Sequence, residues 1–173
     1  SRSVGYGMPA PCTNLRTGLP LYDPTTTICF YNKFHSYYEF TNFFRGNPFF
    51  IGGRFYPTPE HYYQGMKFFL SGQPIIGTQI VNASSAREAF DLAQRHKHLV
   101  DIHKWLAVRD NVMKEALIAK FSQDSGLKAL LLSTRGKTLV EHTTNDNYWG
   151  DNGDGTGVNR LGQLLMEVRD YYL

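Results

Sequence analysis

The chain has 173 residues, 42% of them apolar, with 18 Lys and Arg against 15 Asp and Glu for a formal net charge of +3. That is apolar enough for a hydrophobic core and too weakly charged for a disordered chain. No apolar run approaches the roughly 18 residues of a membrane span, the opening Ser1–Gly7 lacks the apolar segment of a secretory signal, and two cysteines, Cys12 and Cys29, are too few for a disulfide scaffold or a zinc ribbon. The expectation is an intracellular protein, cytoplasmic or nuclear, with reduced thiols, no membrane association and a monomeric state.

In chain order, residues 1–27 are rich in Pro, Thr and Gly without periodicity and read as an irregular arm lying on a domain that fills 28–173. Short β-like runs follow at Ile28–Tyr31, Phe40–Phe44, Pro48–Ile51 and Arg54–Tyr56, with a turn at Gly52-Gly53, and together they predict a small antiparallel sheet. Thr58-Pro59-Glu60 then starts a helix, with Thr58 as cap and Pro59 at the first position, that stops near Ser71-Gly72. Ser85-Ala86-Arg87-Glu88 is a capping box opening a helix to about His96. A longer helix from about Asp101 to Phe121 carries Ile102, Leu106, Val112, Met113 and Ala116 as its apolar stripe. A short helix over Leu127–Ser133, a strand over Thr138–His142 and an amphipathic helix over Asn159–Tyr172 complete an α+β fold, predominantly α-helical, in a single domain.

Two segments could carry chemistry. On the helix after Thr58, the residues Glu60, Gln64 and Lys67 stand at i, i+4 and i+7 and share a face among aromatic neighbours that include Tyr63 and Phe68. Turned inward, that face is partly desolvated, which raises a carboxyl pKa and lowers an amine pKa. Turned outward, it is an ordinary solvated face with an acid at the helix N-terminus. In the second segment, Trp149 to Asn159, alternate glycines that include Gly155 and Gly157 precede a helix. Such a loop predicts phosphate or ribose bound by backbone N–H groups, or a surface loop with no ligand. It follows neither the dinucleotide-binding nor the EF-hand spacing. His96, His98 and His103 lack Cys or carboxylate companions and read as solvated side chains, so no metal is expected. Charge is uneven: residues 138–173 hold six acids and two bases, leaving the rest of the chain basic. That split suits a partner with phosphates, or merely a solvated surface.

The order and spacing of F-T-N-F-F at 40–44, P-T-P-E-H-Y-Y-Q-x-x-K-F at 57–68, K-W-x(3)-R-x(3)-M at 104–113, L-V-E-H at 139–142 and D-x-x-W-G-x-x-G-x-G-x-G-x-N-x-L-G-x-L-L-M at 146–166 resemble the NADAR (YbiA-like) domain family from about Phe30 to Tyr172. The resemblance implies a metal-free and cofactor-free N-glycosidase acting on ribose-5-phosphate-like or ADP-ribosyl groups. By that resemblance Glu60, Lys67 and Asp146 would be catalytic, and Trp105, Asn42, Trp149, Gly150, Gly157 and Asn159 would lie at the ligand. Thr41 stands where the family often has Ser, which keeps the hydroxyl. Three functions follow: removal of ADP-ribose from guanine in a nucleotide or nucleic acid, hydrolysis of a phosphorylated ribosylaminopyrimidine of riboflavin synthesis, or non-catalytic binding of ADP-ribose or NAD. For the enzymes, Glu60 would supply acid/base chemistry. Lys67 would either form a Schiff base at C1′ or only orient a phosphate while water attacks.

Overall fold

A computed structural model describes residues 7–173. Residues 1–6, where the predicted arm begins and on which the reading of no secretory signal rests, lie outside the described residues. The fold is helix-rich α+β, and the chain divides into a contiguous central unit, Asn42–Asp124, and a terminal unit made of Ser1–Thr41 with Ser125–Leu173. Among the described residues no helix is long and apolar enough to cross a membrane.

In the central unit β2 (Phe49–Ile51) and β3 (Arg54–Tyr56) form an antiparallel hairpin with Phe49 opposite Tyr56. Its turn needs two left-handed residues, which Gly52 and Gly53 supply at φ 58° and 89°. Four helices follow: α1 (Pro59–Phe69), α2 (Pro74–Val81), α3 (Ala86–Arg95) and α4 (Ile102–Ser122). The α3 capping box is shifted by one residue. Ser85 Oγ accepts from the Glu88 N–H at 3.0 Å, but the Glu88 carboxylate returns to the N–H and hydroxyl of Ser84. Asp101 caps α4 by accepting from the Lys104 N–H at 3.2 Å. The α4 stripe differs from the predicted one in its first half. Ile102 and Leu106 are exposed, while Trp105, Val112, Met113, Ala116 and Leu117 are buried. Helix α2 was not predicted, because its short, mostly apolar sequence of eight residues shows too little of a helical period to read. It packs tightly on α1: a Cβ at Gly65 would collide with Val81, and one at Gly77 would lie 2.7 Å from the Phe69 ring.

The terminal unit holds β1 (Thr27–Phe30), α5 (Ser125–Leu132), β4 (Thr138–Glu141) and α6 (Arg160–Tyr171). β1 pairs with β4, and in parallel, so the antiparallel sheet expected around it contracts to the β2–β3 hairpin. The run from Phe40 is likewise not a strand. Tyr37 is left-handed at φ 67°, Tyr38–Phe40 coil into a 3₁₀ turn, and the Thr41 hydroxyl closes it on the Tyr38 carbonyl at 2.8 Å. Helix α6 crosses β4 with backbone against backbone: a Cβ at Gly162 would run into the Leu139 carbonyl. Buried Arg169 donates to the Thr134 and Lys137 carbonyls at 3.0 and 2.8 Å, closing the turn after α5. Residues 7–26 contain only the isolated Thr13–Pro20 bridge, and their middle part meets the glycine-rich loop. There the Leu15 N–H donates to the Gly153 carbonyl at 2.8 Å and the Arg16 guanidinium reaches Asn152. Cys12 and Cys29 are free thiols.

The arm is also held by His142. Its Nδ1 faces Asp151 Oδ2 and its Nε2 faces the Thr13 carbonyl, both at 2.6 Å, so only the doubly protonated ring serves both acceptors. Burial pushes its pKa down, but the Asp151 hydrogen bond and charge, with the Thr13 carbonyl, outweigh it and the net direction is up. Burial opposes ionisation of Asp151, yet hydrogen bonds from His142, Tyr22 and Gly153 hold its carboxyl below the usual range. The sign follows from linkage. A raised His142 pKa stabilises the fold below the unfolded value near ~6.5, and the gain is lost as pH rises through the folded value. The Asp151 contribution is lost at the acid end, as pH falls through its depressed folded value. Thermal melting against pH in wild type and His142→Gln should therefore show a gap of about 3 kcal/mol near pH 6 that narrows as pH rises. A gap that widens as pH rises would show that folding favours the neutral ring, and a gap independent of pH would show no difference in His142 pKa between the folded and unfolded states.

Candidate active site

Helix α1 brings the first group of predicted residues together. Thr58 Oγ1 accepts from the His61 N–H at 3.2 Å and donates to His61 Nδ1 at 2.8 Å, while His61 Nε2 donates to the Ala83 carbonyl at 3.0 Å. Burial holds the His61 pKa down and so favours the neutral ring in which Nδ1 accepts from Thr58. With its first turn fixed, the helix buries Glu60 and Gln64. The Gln64 amide donates to Glu60 Oε2 at 2.8 Å, and the Glu60 N–H donates to the backbone carbonyl of Asn42 at 3.3 Å. Two buried acceptors of this cluster, Asn42 Oδ1 and Gln64 Oε1, have no hydrogen-bond partner among the described residues.

Lys67 Nζ stands 5.4 Å from the Tyr63 ring centroid and 5.9 Å from that of Trp105, and the two rings meet edge to face at 4.9 Å. Burial lowers the Lys67 pKa; the Glu60 charge opposes this and the Arg109 charge adds to it. An amine so placed is more often neutral at ordinary pH than a surface lysine. The face of α1 that the sequence left open is thus the inward, partly desolvated one. It offers a carboxyl group for proton transfer and an amine for nucleophilic attack.

The facing side of this cluster was only partly legible. Trp105, Arg109 and Met113 recur every four residues on α4. Arg109 acts electrostatically on Lys67, and Met113 Sδ accepts from Asn42 Nδ2 at 3.4 Å. Arg109 and Met113 were missed as site residues, although a polar side chain in step with a buried Trp and Met was the available signal.

The second group, Asp146, Trp149, Gly150, Gly155, Gly157 and Asn159, falls in the terminal unit. Asp146 Oδ1 accepts from the N–H groups of Tyr148 and Trp149, both at 2.8 Å, so this carboxylate shapes the turn that presents the half-buried Trp149. Most of the loop N–H groups expected to bind phosphate or ribose are engaged within the protein. Those of Asp151, Asn152, Gly153, Gly155, Gly157 and Val158 already donate within the loop or to adjacent strand residues, and those of Arg160 and Leu161 at the α6 N-terminus donate to the Tyr148 and Trp149 carbonyls. The glycines fold the loop around Asp151, whose carboxylate accepts from the Thr143 and Gly153 N–H groups. Asn159 Oδ1 accepts from the Glu141 N–H at 2.9 Å and Nδ2 donates to the Leu139 carbonyl at 3.0 Å, imitating a strand along β4. A Cβ at Gly157 would lie 2.6 Å from backbone atoms of Gly150 and Asp151, one at Gly150 would lie 2.8 Å from the Asp146 carbonyl, and Gly155 faces Leu21 and Tyr22 of the arm.

His96 Nδ1 pairs with the Leu92 carbonyl at 3.0 Å, and His98 and His103 are exposed. Among the described residues no group of three or more His, Cys, Asp or Glu side chains is arranged to hold a metal.

The NADAR domain profile matches residues 29–172. The chain belongs to the NADAR domain family. It is 44% identical over 146 residues to the protein named N-glycosidase YbiA of Escherichia coli (strain K12), covering 84% of this chain and 88% of that one. It is also 35% identical over 174 residues to the chloroplastic riboflavin biosynthesis protein PYRR of Zea mays, covering 90% of this chain but 27% of the maize protein. The NMR structure of E. coli YbiA superposes with a TM-score of 0.75 at 39% identity, over 94% of this chain and 93% of that one. The helix-rich α+β fold is therefore the fold of this NADAR relative.

The packing at Gly157 gives a direct expectation. Gly157→Ala should lower the unfolding free energy by about 1–3 kcal/mol, since fixed backbone must move to admit the methyl group. Gly136→Ala, where nothing lies within 4 Å and only φ +84° resists a side chain, should cost about 1 kcal/mol. Denaturant melts of the two variants check the order.

Proposed function

We propose that the protein is an N-glycosidase that cleaves a ribosyl C1′–N bond, and that its substrate is ADP-ribose attached to guanine, in a nucleotide or in nucleic acid. The name N-glycosidase carried by its relatives supports the coarse reading. The observation that carries the chemistry is the Lys67 amine, desolvated against Tyr63 and Trp105 on the same helix face as buried Glu60. In this reading Glu60 passes a proton to the substrate and opens the ribose ring. The Lys67 amine attacks C1′ with its lone pair, the C1′–N bond breaks, and the guanine leaves with the bonding electrons and a proton. Water then adds to the imine, releasing the free sugar and restoring the amine. Tyr63 and Trp105 exclude water from the amine, and Arg109 disfavours its protonated form. The residues at hand require no metal and no organic cofactor.

A second substrate class, a phosphorylated ribosylaminopyrimidine, is favoured by the relatives named as riboflavin biosynthesis proteins. Purified protein assayed on guanine-ADP-ribosylated DNA beside the aminopyrimidine phosphate decides between them: base release from the first at the higher kcat/KM supports the proposal, and the reverse order replaces it. Dialysis against EDTA should leave the rate unchanged, and a rate lost to chelator and restored by a divalent ion would overturn the metal-free reading.

Glu60→Gln should lower kcat by roughly 100- to 10,000-fold while retaining the fold. Activity within a few-fold of wild type would remove Glu60 from the reaction. Borohydride added during turnover should fix an ADP-ribosyl adduct on Lys67, read by peptide mass. Lys67→Arg keeps the charge but cannot form the imine, and should be inactive. An active Lys67→Arg with no adduct in wild type would leave direct attack by water.

A further inference from the structure

Asn42 and Gln64 are 9% and 5% exposed, and each keeps one acceptor oxygen, Oδ1 and Oε1, buried without a hydrogen-bond partner. An unmet buried acceptor costs roughly 1–3 kcal/mol, so two in one cluster are a standing penalty that a ligand with matching donors would remove. Both are tied to Glu60. Asn42 accepts the Glu60 N–H on its backbone carbonyl, and Gln64 gives its amide to the Glu60 carboxylate. The second bond fixes the orientation of the Gln64 amide. A carboxylate accepts only from the NH₂ end, which turns Oε1 away from Glu60. Asn42 is oriented by a similar logic, because the Met113 thioether can only accept and so takes the Nδ2 end. The two residues hydrogen-bonded to Glu60 therefore each hold a neutral acceptor of fixed orientation.

We propose that Gln64 Oε1 and Asn42 Oδ1 receive the two adjacent hydroxyl groups of the substrate's ribose, so that the site selects ribosides with an intact cis-diol over deoxyribosides. This rests on the N-glycosidase reading and goes beyond it by naming what the site requires of the sugar. Neutral acceptors suit hydroxyl donors, whereas a phosphate, which is an acceptor itself, would be repelled by them. Hydrogen bonds to the hydroxyl next to the reacting carbon strengthen as positive charge builds there, so the contact also favours bond cleavage. The excluded sugar is informative as well. Removing the 2′-hydroxyl takes an electron-withdrawing group from beside C1′ and makes the bond intrinsically easier to break, so a slower deoxyriboside reports a lost contact and not a harder reaction.

The test compares a riboside substrate with its 2′-deoxy and 3′-deoxy analogues on the wild-type enzyme, where no question of folding arises. Each deoxy analogue should show kcat/KM lower by at least about tenfold, the effect of leaving one buried acceptor unpaired. Gln64→Met and Asn42→Leu, checked for folding by circular dichroism, should each erase the penalty for one analogue and keep it for the other. Equal rates for riboside and deoxyribosides in the wild type would overturn the proposal while leaving the N-glycosidase standing. Discrimination that survives in both folded variants would overturn the assignment to these residues. If no riboside is turned over, the activity itself fails, and calorimetry with ribose 5-phosphate against 2-deoxyribose 5-phosphate decides the sugar contact separately. A preference of tenfold or more for ribose upholds it, and equal affinity overturns it.

Discussion

A helix that turns a carboxylate, an amide and an amine away from water gains nothing by that rotation unless its phase is held from outside. In this protein the restraint is the first turn of α1. The Thr58 hydroxyl serves as acceptor for one group and donor for another, which leaves the opposite nitrogen of His61 to reach the Ala83 carbonyl. The anchor links the start of α1 to the segment before α3. Left free, the face with Glu60, Gln64 and Lys67 would rotate toward solvent, because desolvating these groups costs several kcal/mol. The helix N-terminus offsets part of that cost for Glu60, since its partial positive charge favours a carboxylate in the first turn. Lys67, in the last turn, is left to its aromatic neighbours.

The terminal unit handles buried polarity in the opposite way. Asp151 is 1% exposed, and its carboxylate is met by the Tyr22 hydroxyl, the His142 ring and the N–H groups of Thr143 and Gly153. Asn159 likewise uses both ends of its amide along β4. Satisfied groups of this kind hold a loop in one shape, whereas Asn42 and Gln64 keep acceptors in reserve. The contrast is between buried polar groups whose partners are all met and buried polar groups that keep one acceptor unmet, even though both sets stand in conspicuous motifs.

Local chemistry made much of this readable from the chain. Thr58-Pro59, Ser85 and Asp101 start their helices where capping demands, and Gly52-Gly53 turns its hairpin. The i, i+4, i+7 spacing placed Glu60, Gln64 and Lys67 together, but nothing in that spacing says which way the face points. The decision comes from His61 and Ala83, a contact across 22 residues. The parallel pairing of β1 with β4 is equally non-local, so its strands were readable and their partnership was not. Glycines are ambiguous for a further reason. A Gly required by a ligand and a Gly required by the protein's own backbone look alike in sequence, and only the neighbouring atoms of Gly150 and Gly157 assign them to the second kind. Helix α2 had neither cap nor period to announce it.

The pairing of β1 with β4 also sets an order of events during synthesis. Thr27 meets Thr138, ~110 residues later, and at roughly 5–20 residues per second the ribosome needs about 5–20 s to make that span. Throughout that interval β1 has been translated without its partner strand. The contiguous span Asn42–Asp124 is complete before any of β4 is made, so the helices that carry Glu60, Lys67 and Trp105 have all their sequence available while the first strand still waits. An exposed apolar strand with open hydrogen-bonding edges is prone to pair with other chains, and β1 (Thr-Ile-Cys-Phe) is only four residues long. Brevity keeps that hazard small while the nascent chain is incomplete.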